Sequence, residues 1–149
     1  MAKTVHVIAI GKLKDSQLES LEQNYLKRIN LFQLKITETK AKAEDPEFEA
    51  KEVLEKLKNT SGVKILLTEH GHCLDTHAFK NQLQQDLINS SEIFFILAGA
   101  LGPHPTLSQS CNRKFSLSPL TFPHQIARLL LIEQIYRAQT LIQNHPYHH

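Results

Sequence analysis

Apolar residues in this chain come in short bursts, separated by stretches where they recur every three or four positions. Residues 4–10 (Thr-Val-His-Val-Ile-Ala-Ile) are a β-rich apolar run closed by Gly11, which predicts a first strand. Asp15 then caps a helix whose Leu18, Leu21, Tyr25 and Ile29 fall at helical spacing. Residues 34–39 alternate and predict a second strand. Asp45-Pro46-Glu47 opens another helix, with Phe48, Val53, Leu54 and Leu57 on its apolar face. Residues 63–67 predict a third, buried strand, and Thr76 is expected to cap a helix carrying Phe79, Leu83 and Leu87. Residues 92–98 are apolar on both faces, as a central strand requires. A short strand near 115–117 and a long helix over 123–143, opened by Pro123, complete the pattern.

Strands alternating with helices predict an α/β fold, a mainly parallel sheet with helices on both faces. No repeat, low-complexity tract or linker interrupts the 149 residues, so residues 1–149 read as a single domain. The last helix is too apolar for one buried stripe. Ile126, Ala127, Leu129, Leu130, Leu131, Ile132, Ile135, Tyr136, Ala138, Leu141 and Ile142 cover well over 100° of it. Burial against a second copy in a two-fold homodimer would use the excess, with a central place for the helix in its own domain as the alternative. Glu133 and Arg137, four apart, are spaced to pair on the polar remainder.

Composition changes this picture little. The chain is 41% hydrophobic and 21% charged, as ordinary globular proteins are. No apolar run approaches the roughly 20 residues of a membrane span, and Met-Ala-Lys-Thr-Val lacks the pattern of a secretion signal. Cys73 and Cys111 form no disulfide framework, so cytoplasmic residence without a membrane partner is expected. A net charge of +2 does not by itself point to nucleic acid; paired basic residues such as Lys12/Lys14 and Arg113/Lys114 read as solvated faces.

Candidate chemistry sits at the strand ends. Ala98-Gly99-Ala100-Leu101-Gly102 follows the most apolar strand, and small residues let a ligand approach the main chain. The segment is not a phosphate loop, for it lacks both the Lys-Ser/Thr pair and a Gly-x-Gly-x-x-Gly. The end after Leu67 and the turn Leu117, Ser118, Pro119, Leu120, Thr121, Phe122, which leads into a helix N-terminus, are expected to share one crevice with it. His6 reads as structural. His70, His72, His77 and Cys73 lack standard zinc spacing, so no metal is expected. The tail beyond the last helix carries His145, Tyr147, His148 and His149, proton-exchanging groups with no structural reason to cluster there.

Leu117-Ser118-Pro119-Leu120-Thr121-Phe122-Pro123-His124, then Ala127-Arg128, Leu131 through Ala138 and the His145-Pro146-Tyr147-His148 tail closely resemble the SPOUT-class ribosomal RNA large subunit methyltransferase H family. Residues 7–14 resemble that family's first strand and turn. The likeness runs the length of the chain and is most specific in its final third. It implies a SPOUT fold with a trefoil knot near the C-terminus, a feature periodicity alone would not produce. It also implies a homodimer that uses S-adenosylmethionine to methylate N3 of a pseudouridine in the helix 69 hairpin of 23S ribosomal RNA. The implied cofactor positions are Leu67, Ala98, Gly99, Gly102 and the six residues from Leu117 to Phe122.

Methyl transfer to a ring nitrogen depends on positioning, and the N3 proton needs an acceptor. His145, Tyr147 and His148 are the candidate catalytic residues, with His124 behind them; in a dimer the tail would serve the partner's crevice. Arg128, Arg137 and His124 are the candidates to hold substrate, with an ion pair as the alternative for both arginines, such as Arg137 to Glu133. One departure stands out: the family has Gly-Gly-x-x-Gly where this chain has Ala98 first. Backbone contacts survive that methyl only if φ at Ala98 is negative, and Ala100-Leu101 makes the loop less polar toward substrate. Two other readings use the same crevice: a non-catalytic nucleotide-binding module, and a ribosome-associated protein that has lost its cofactor. Calorimetric titration with S-adenosylmethionine separates them.

Overall fold

The computed structural model describes residues 2–99 and 101–147. Strands β1 (Thr4–Ile10), β2 (Gln33–Thr39), β3 (Val63–Cys73), β4 (Glu92–Leu97) and β5 (Arg113–Ser116) form one sheet in the order β2-β1-β4-β3-β5. Every adjacent pair is parallel. The helices are α1 (Ser16–Arg28), α2 (Pro46–Leu57), α3 (Thr76–Asn89), α4 (Pro105–Gln109) and α5 (His124–Ile142).

Alternation along the strands feeds two cores. β1 sends Val5, Val7 and Ala9 toward Phe79, Leu83, Leu131 and Ile135 of α3 and α5. Its Ile8 and Ile10 face Ala50, Val53 and Leu57 of α2 and Leu107 of α4. β4 divides the same way, Ile93, Phe95 and Leu97 against Phe94 and Ile96, which is why residues 92–97 read as apolar throughout. Helices thus cover both faces, as the sequence predicts.

The helix starts mostly follow local capping rules. Asp15 accepts the Gln17 and Leu18 N–H groups at 2.8 and 3.2 Å, and Asp45 accepts the Phe48 N–H at 3.0 Å with Pro46 in the first turn. At α3 the cap is Asp75, not Thr76: its carboxylate takes the Ala78 N–H at 2.8 Å. Thr76 is free to donate its hydroxyl to Gln134 of α5 at 3.1 Å. Pro123 stands at the cap position of α5 and gives its first N–H groups no side-chain partner.

Three features depart from the sequence reading. On α1, Leu21 is 46% exposed and Glu22 only 2%. An ion pair turns the helix: Arg128 Nε donates to Glu22 Oε1 at 2.8 Å and Nη2 to Oε2 at 3.1 Å, while Nη1 reaches Glu38 at 2.6 Å. β3 also runs past residue 67. Leu67 and His72 both pair with Phe115, so residues 68–71 loop out as a bulge. Gly71 is required there, because a Cβ would stand 2.7 Å from the Phe115 backbone. Finally, α4 leaves no periodic trace in the sequence, since five residues are too few for a helical pattern. It is held by the buried Leu107 and by His104, which accepts the Thr106 N–H at 3.2 Å.

α5 lies between α1 and α3, and Leu131, Ile132, Ile135 and Ala138 are wholly buried within one protomer. Central packing therefore uses much of the apolar excess assigned to a dimer. Ile126, Leu129, Leu130, Leu141 and Ile142 stay half-buried. Among the described residues no helix is long and apolar enough to cross a membrane.

Candidate functional site

Register brings the strand ends level. Leu67 pairs with Leu97 and with Phe115, so β4 and β5 end and β3 bulges out of the sheet at about one height. The three exits open on a crevice of about 720 Å³ at the carboxyl edge of the sheet. Leu67, Ala98, Gly99, Gly102, Leu117, Ser118, Leu120, Thr121 and Phe122 line it, and His124 and Ala127 of α5 close one side. Of the expected cofactor positions, Pro119 alone is not part of the lining. Ala100 and His148 lie outside the described residues.

The turn at 117–122 is built by its own hydroxyls. Ser116 Oγ donates to the Ser118 carbonyl at 2.8 Å, and Ser118 Oγ accepts the Leu120 N–H at 3.0 Å. Thr121 Oγ1 donates to Glu69 Oε2 at 2.5 Å, tying the turn to the β3 bulge. Glu69, His70 and Lys114 thereby join the crevice, which sequence reasoning missed. The available signal was Gly71, whose backbone contact fixes the bulge.

The glycines of the third exit have different reasons. Gly102 has φ +81°, and nothing lies within 4 Å of where a Cβ would stand, so the need is conformational. Gly99 has no positive φ, but a Cβ there would meet Glu49 Oε1 at 2.6 Å. Ala98 has no positive φ either, which satisfies the condition its methyl group imposes.

Arg128 does not face the crevice. Its guanidinium is buried with its fork filled by Glu22 and Glu38, the ion-pair alternative to a phosphate contact. Burial would lower the affinity of Arg128 for its proton, yet the two carboxylates raise it overall. Glu38 responds in the opposite sense. Partial burial pushes its carboxyl up, and the bonds from Arg128 and the Leu13 N–H more than reverse that, holding it below the usual range. The triad therefore ties α1, β2 and the start of α5 together. Its partners lie 106 and 90 residues away, beyond any local pattern.

The tail folds back on α5. Asn144 turns at φ +57°, its N–H donates to Leu141 O at 3.3 Å, and the His145 N–H donates to Thr140 O at 2.8 Å. Tyr147 then lies edge-on to Tyr136 at 4.8 Å and donates its hydroxyl to Glu133 at 3.1 Å. Burial, a Tyr25 hydrogen bond and the Glu133 charge push its phenol well above the usual value. In this pose Tyr147 is a donor, not a proton acceptor. Arg137 pairs with Glu133 at 3.0 Å and stacks on the Tyr147 ring at 5.0 Å. His145 is exposed. Glu133 follows His124 by nine residues, two and a half turns and about 13.5 Å of helix, on the opposite face. Within one protomer the described part of the tail, residues 144–147, does not line the crevice. Among the described residues no three His, Cys, Asp or Glu side chains converge as a metal site would need.

Residues 3–148 match the family model described as "Predicted SPOUT methyltransferase". The ribosomal RNA large subunit methyltransferase H of Prochlorococcus marinus (strain MIT 9211) is 37% identical, over 95% of this chain and 93% of its own length. That of Acholeplasma laidlawii (strain PG-8A) is 36% identical over 97% and 98%. Among solved structures, the SpoU methyltransferase AviRb from Streptomyces viridochromogenes, in complex with the cofactor AdoMet, matches with a TM-score of 0.53 at 11% identity. It covers 93% of this chain, which spans 59% of AviRb, and the likeness is one of fold. With its parallel sheet, its crevice at the strand ends and near full-length similarity to these relatives, the chain belongs to the SPOUT methyltransferases, in the ribosomal RNA large subunit methyltransferase H family.

Proposed function

We propose that this protein transfers a methyl group from S-adenosylmethionine to large-subunit ribosomal RNA, with N3 of a pseudouridine in the helix 69 hairpin of 23S RNA as acceptor. The observation that carries the reading is the convergence of three level strand exits on one crevice in a chain of this family. The names of its relatives and the cofactor bound by AviRb support the reaction class and the donor.

The residues fit that donor. About 720 Å³ is the size of a cleft that encloses a small organic ligand. Gly102 leaves open space, the Ala98 backbone keeps an ordinary φ, and the 117–122 turn faces the cleft with main chain and hydroxyls. When bound, S-adenosylmethionine supplies a methyl group carried on a sulfonium. The chain's part is to orient that group and receive the acceptor's proton. His145 and His148 are the candidates for the proton; Tyr147 and Arg137 hold the tail, and His124 stands at the crevice edge to meet substrate.

Because Tyr147 is held across α5 from its own crevice, the proposal includes a two-fold homodimer in which each tail serves the partner. It also includes a trefoil crossing of the C-terminal part of the chain, and action on ribosomes in the cytoplasm. Incubation with methyl-labelled S-adenosylmethionine and either free 23S RNA, large subunits or whole ribosomes tests it, with the product located by mass spectrometry of RNA fragments. Label at N3 of the hairpin pseudouridine is expected. Label elsewhere, or none on any of the three substrates, overturns it.

A further inference from the structure

Three carboxylates of the described chain are buried: Glu22, Glu49 and Asp86. Two have a guanidinium against them. Glu22 is bonded by Arg128 and Asp86 by Arg113 through both of its terminal nitrogens. Glu49 has none. It sits in the first turn of α2, 8% exposed, and among the described residues no Lys or Arg nitrogen lies within salt-bridge distance of it. Its Oε2 accepts the Lys42 N–H at 3.0 Å. The Lys42 ammonium itself turns away, to Asp45 at 3.4 Å and over the Phe48 ring.

The other oxygen of Glu49 is aimed at the crevice loop. A Cβ at Gly99 would stand 2.6 Å from Oε1 and 3.2 Å from both Cδ and Oε2. Gly99 has no positive φ, so what it provides is room for this carboxylate. Gly99 also lines the crevice. Only one side-chain-free backbone stands between this carboxylate, which has no side-chain counter-ion, and the ligand space. A buried carboxylate without a counter-ion is costly, and a cation nearby relieves the cost.

We propose that Glu49 is the charge-selecting residue of the crevice, favouring a cationic ligand over an isosteric neutral one. The inference rests on reading the crevice as the S-adenosylmethionine site. When the methyl leaves for the acceptor nitrogen, the S–C bonding pair stays on sulfur and the sulfonium becomes an uncharged thioether, S-adenosylhomocysteine. The displaced N3 proton passes to the base, so Glu49 takes no part in the bond changes. Its negative potential distinguishes donor from spent product, aiding exchange of one for the other.

Calorimetric titration of the full chain with S-adenosylmethionine and with S-adenosylhomocysteine tests this. Glu49→Gln keeps the volume and an acceptor for the Lys42 N–H but removes the charge. Donor affinity should fall about three- to tenfold, the scale of one unit charge acting through the intermediate effective dielectric of a protein. Product affinity should change less than about twofold. If the Gln variant does not fold, Gly99→Ala gives the same test, because its methyl must push the carboxylate aside; the donor-to-product ratio should drop again. Equal loss for both ligands makes Glu49 a loop support and overturns the inference alone. Failure of the unaltered protein to bind either ligand overturns the cofactor reading, and this inference with it.

Discussion

Replacing Arg128 with Leu removes the guanidinium from between Glu22 and Glu38 without changing the apolar volume much. Glu22, 2% exposed, is then a buried carboxylate with no counter-charge. Removing one partner of a buried pair costs about 3–5 kcal/mol. Glu38, a third exposed at its side chain, adds little because water screens it. For a chain of 149 residues each kcal/mol lowers Tm by about 2–4 °C, so a drop of roughly 6–20 °C is expected by calorimetry. The double variant Arg128→Leu/Glu22→Leu should recover most of it, since burying two apolar groups is close to neutral. pH supplies a second check. Glu38 is held below its ordinary range, so its contribution is present at neutral pH and is lost as pH falls through its folded value. The acid-side loss of stability should therefore be smaller in Arg128→Leu than in the unaltered protein. A Tm within about 2 °C of the original, together with weaker RNA binding, would refute the reasoning and return Arg128 to the role of a phosphate contact.

Three further outcomes follow from the same geometry. Ile135→Glu, at a wholly buried position, should unfold the protomer, whereas Leu130→Glu, half-buried, should give a folded monomer; a dimer mass for Leu130→Glu by micromolar light scattering would rule out α5 as the interface. Gly102→Val forces a β-branched residue to φ +81°, so S-adenosylmethionine binding should weaken while circular dichroism stays native; unchanged affinity would mean the loop is not part of the site. Deleting residues 144–149 should abolish methyl transfer and reduce cofactor affinity less, with Tyr147→Phe losing only its hydroxyl's hydrogen bonds to Glu133 and Tyr25 and His145→Ala and His148→Ala losing more turnover; full turnover by the truncated chain on ribosomal particles would pass the proton-acceptor role to His124.

Much of the fold was legible because its signals are local. The continuous apolar runs of β1 and β4, the caps at Asp15 and Asp45, and the long apolar α5 each sit in a window of a few to twenty residues. What escaped was long-range. Glu22 reads as a surface residue beside Leu21 until Arg128, far along the chain, pulls it inward and turns Leu21 out. The extension of β3 past Leu67 likewise needs the backbone of β5 to pair with, and α4 needs the second core beneath Leu107.

The site divides along the same line. The crevice was readable because a parallel sheet brings strand exits to one edge, so small residues after β4 and hydroxyls after β5 imply each other's company. The tail was readable as chemistry but not as position. Two and a half helical turns set Glu133, and with it Tyr147, opposite His124, and a sequence does not announce that rotation as a functional fact. Its consequence is strong. On the proposed reading, a proton acceptor carried behind Tyr147 reaches a crevice through a second copy, and catalysis then requires the dimer. Mixing a tail-deleted chain with a chain carrying Gly102→Val, at cofactor too dilute to fill the weakened crevice, then gives a decisive outcome: neither variant alone should transfer methyl appreciably, while their heterodimer, with one intact tail facing one intact crevice, should regain up to about half the activity per mixed dimer. No complementation from a mixture shown to exchange subunits would mean that the tail acts within its own protomer after unfolding from Glu133, and that the two-fold arrangement is not what completes the site.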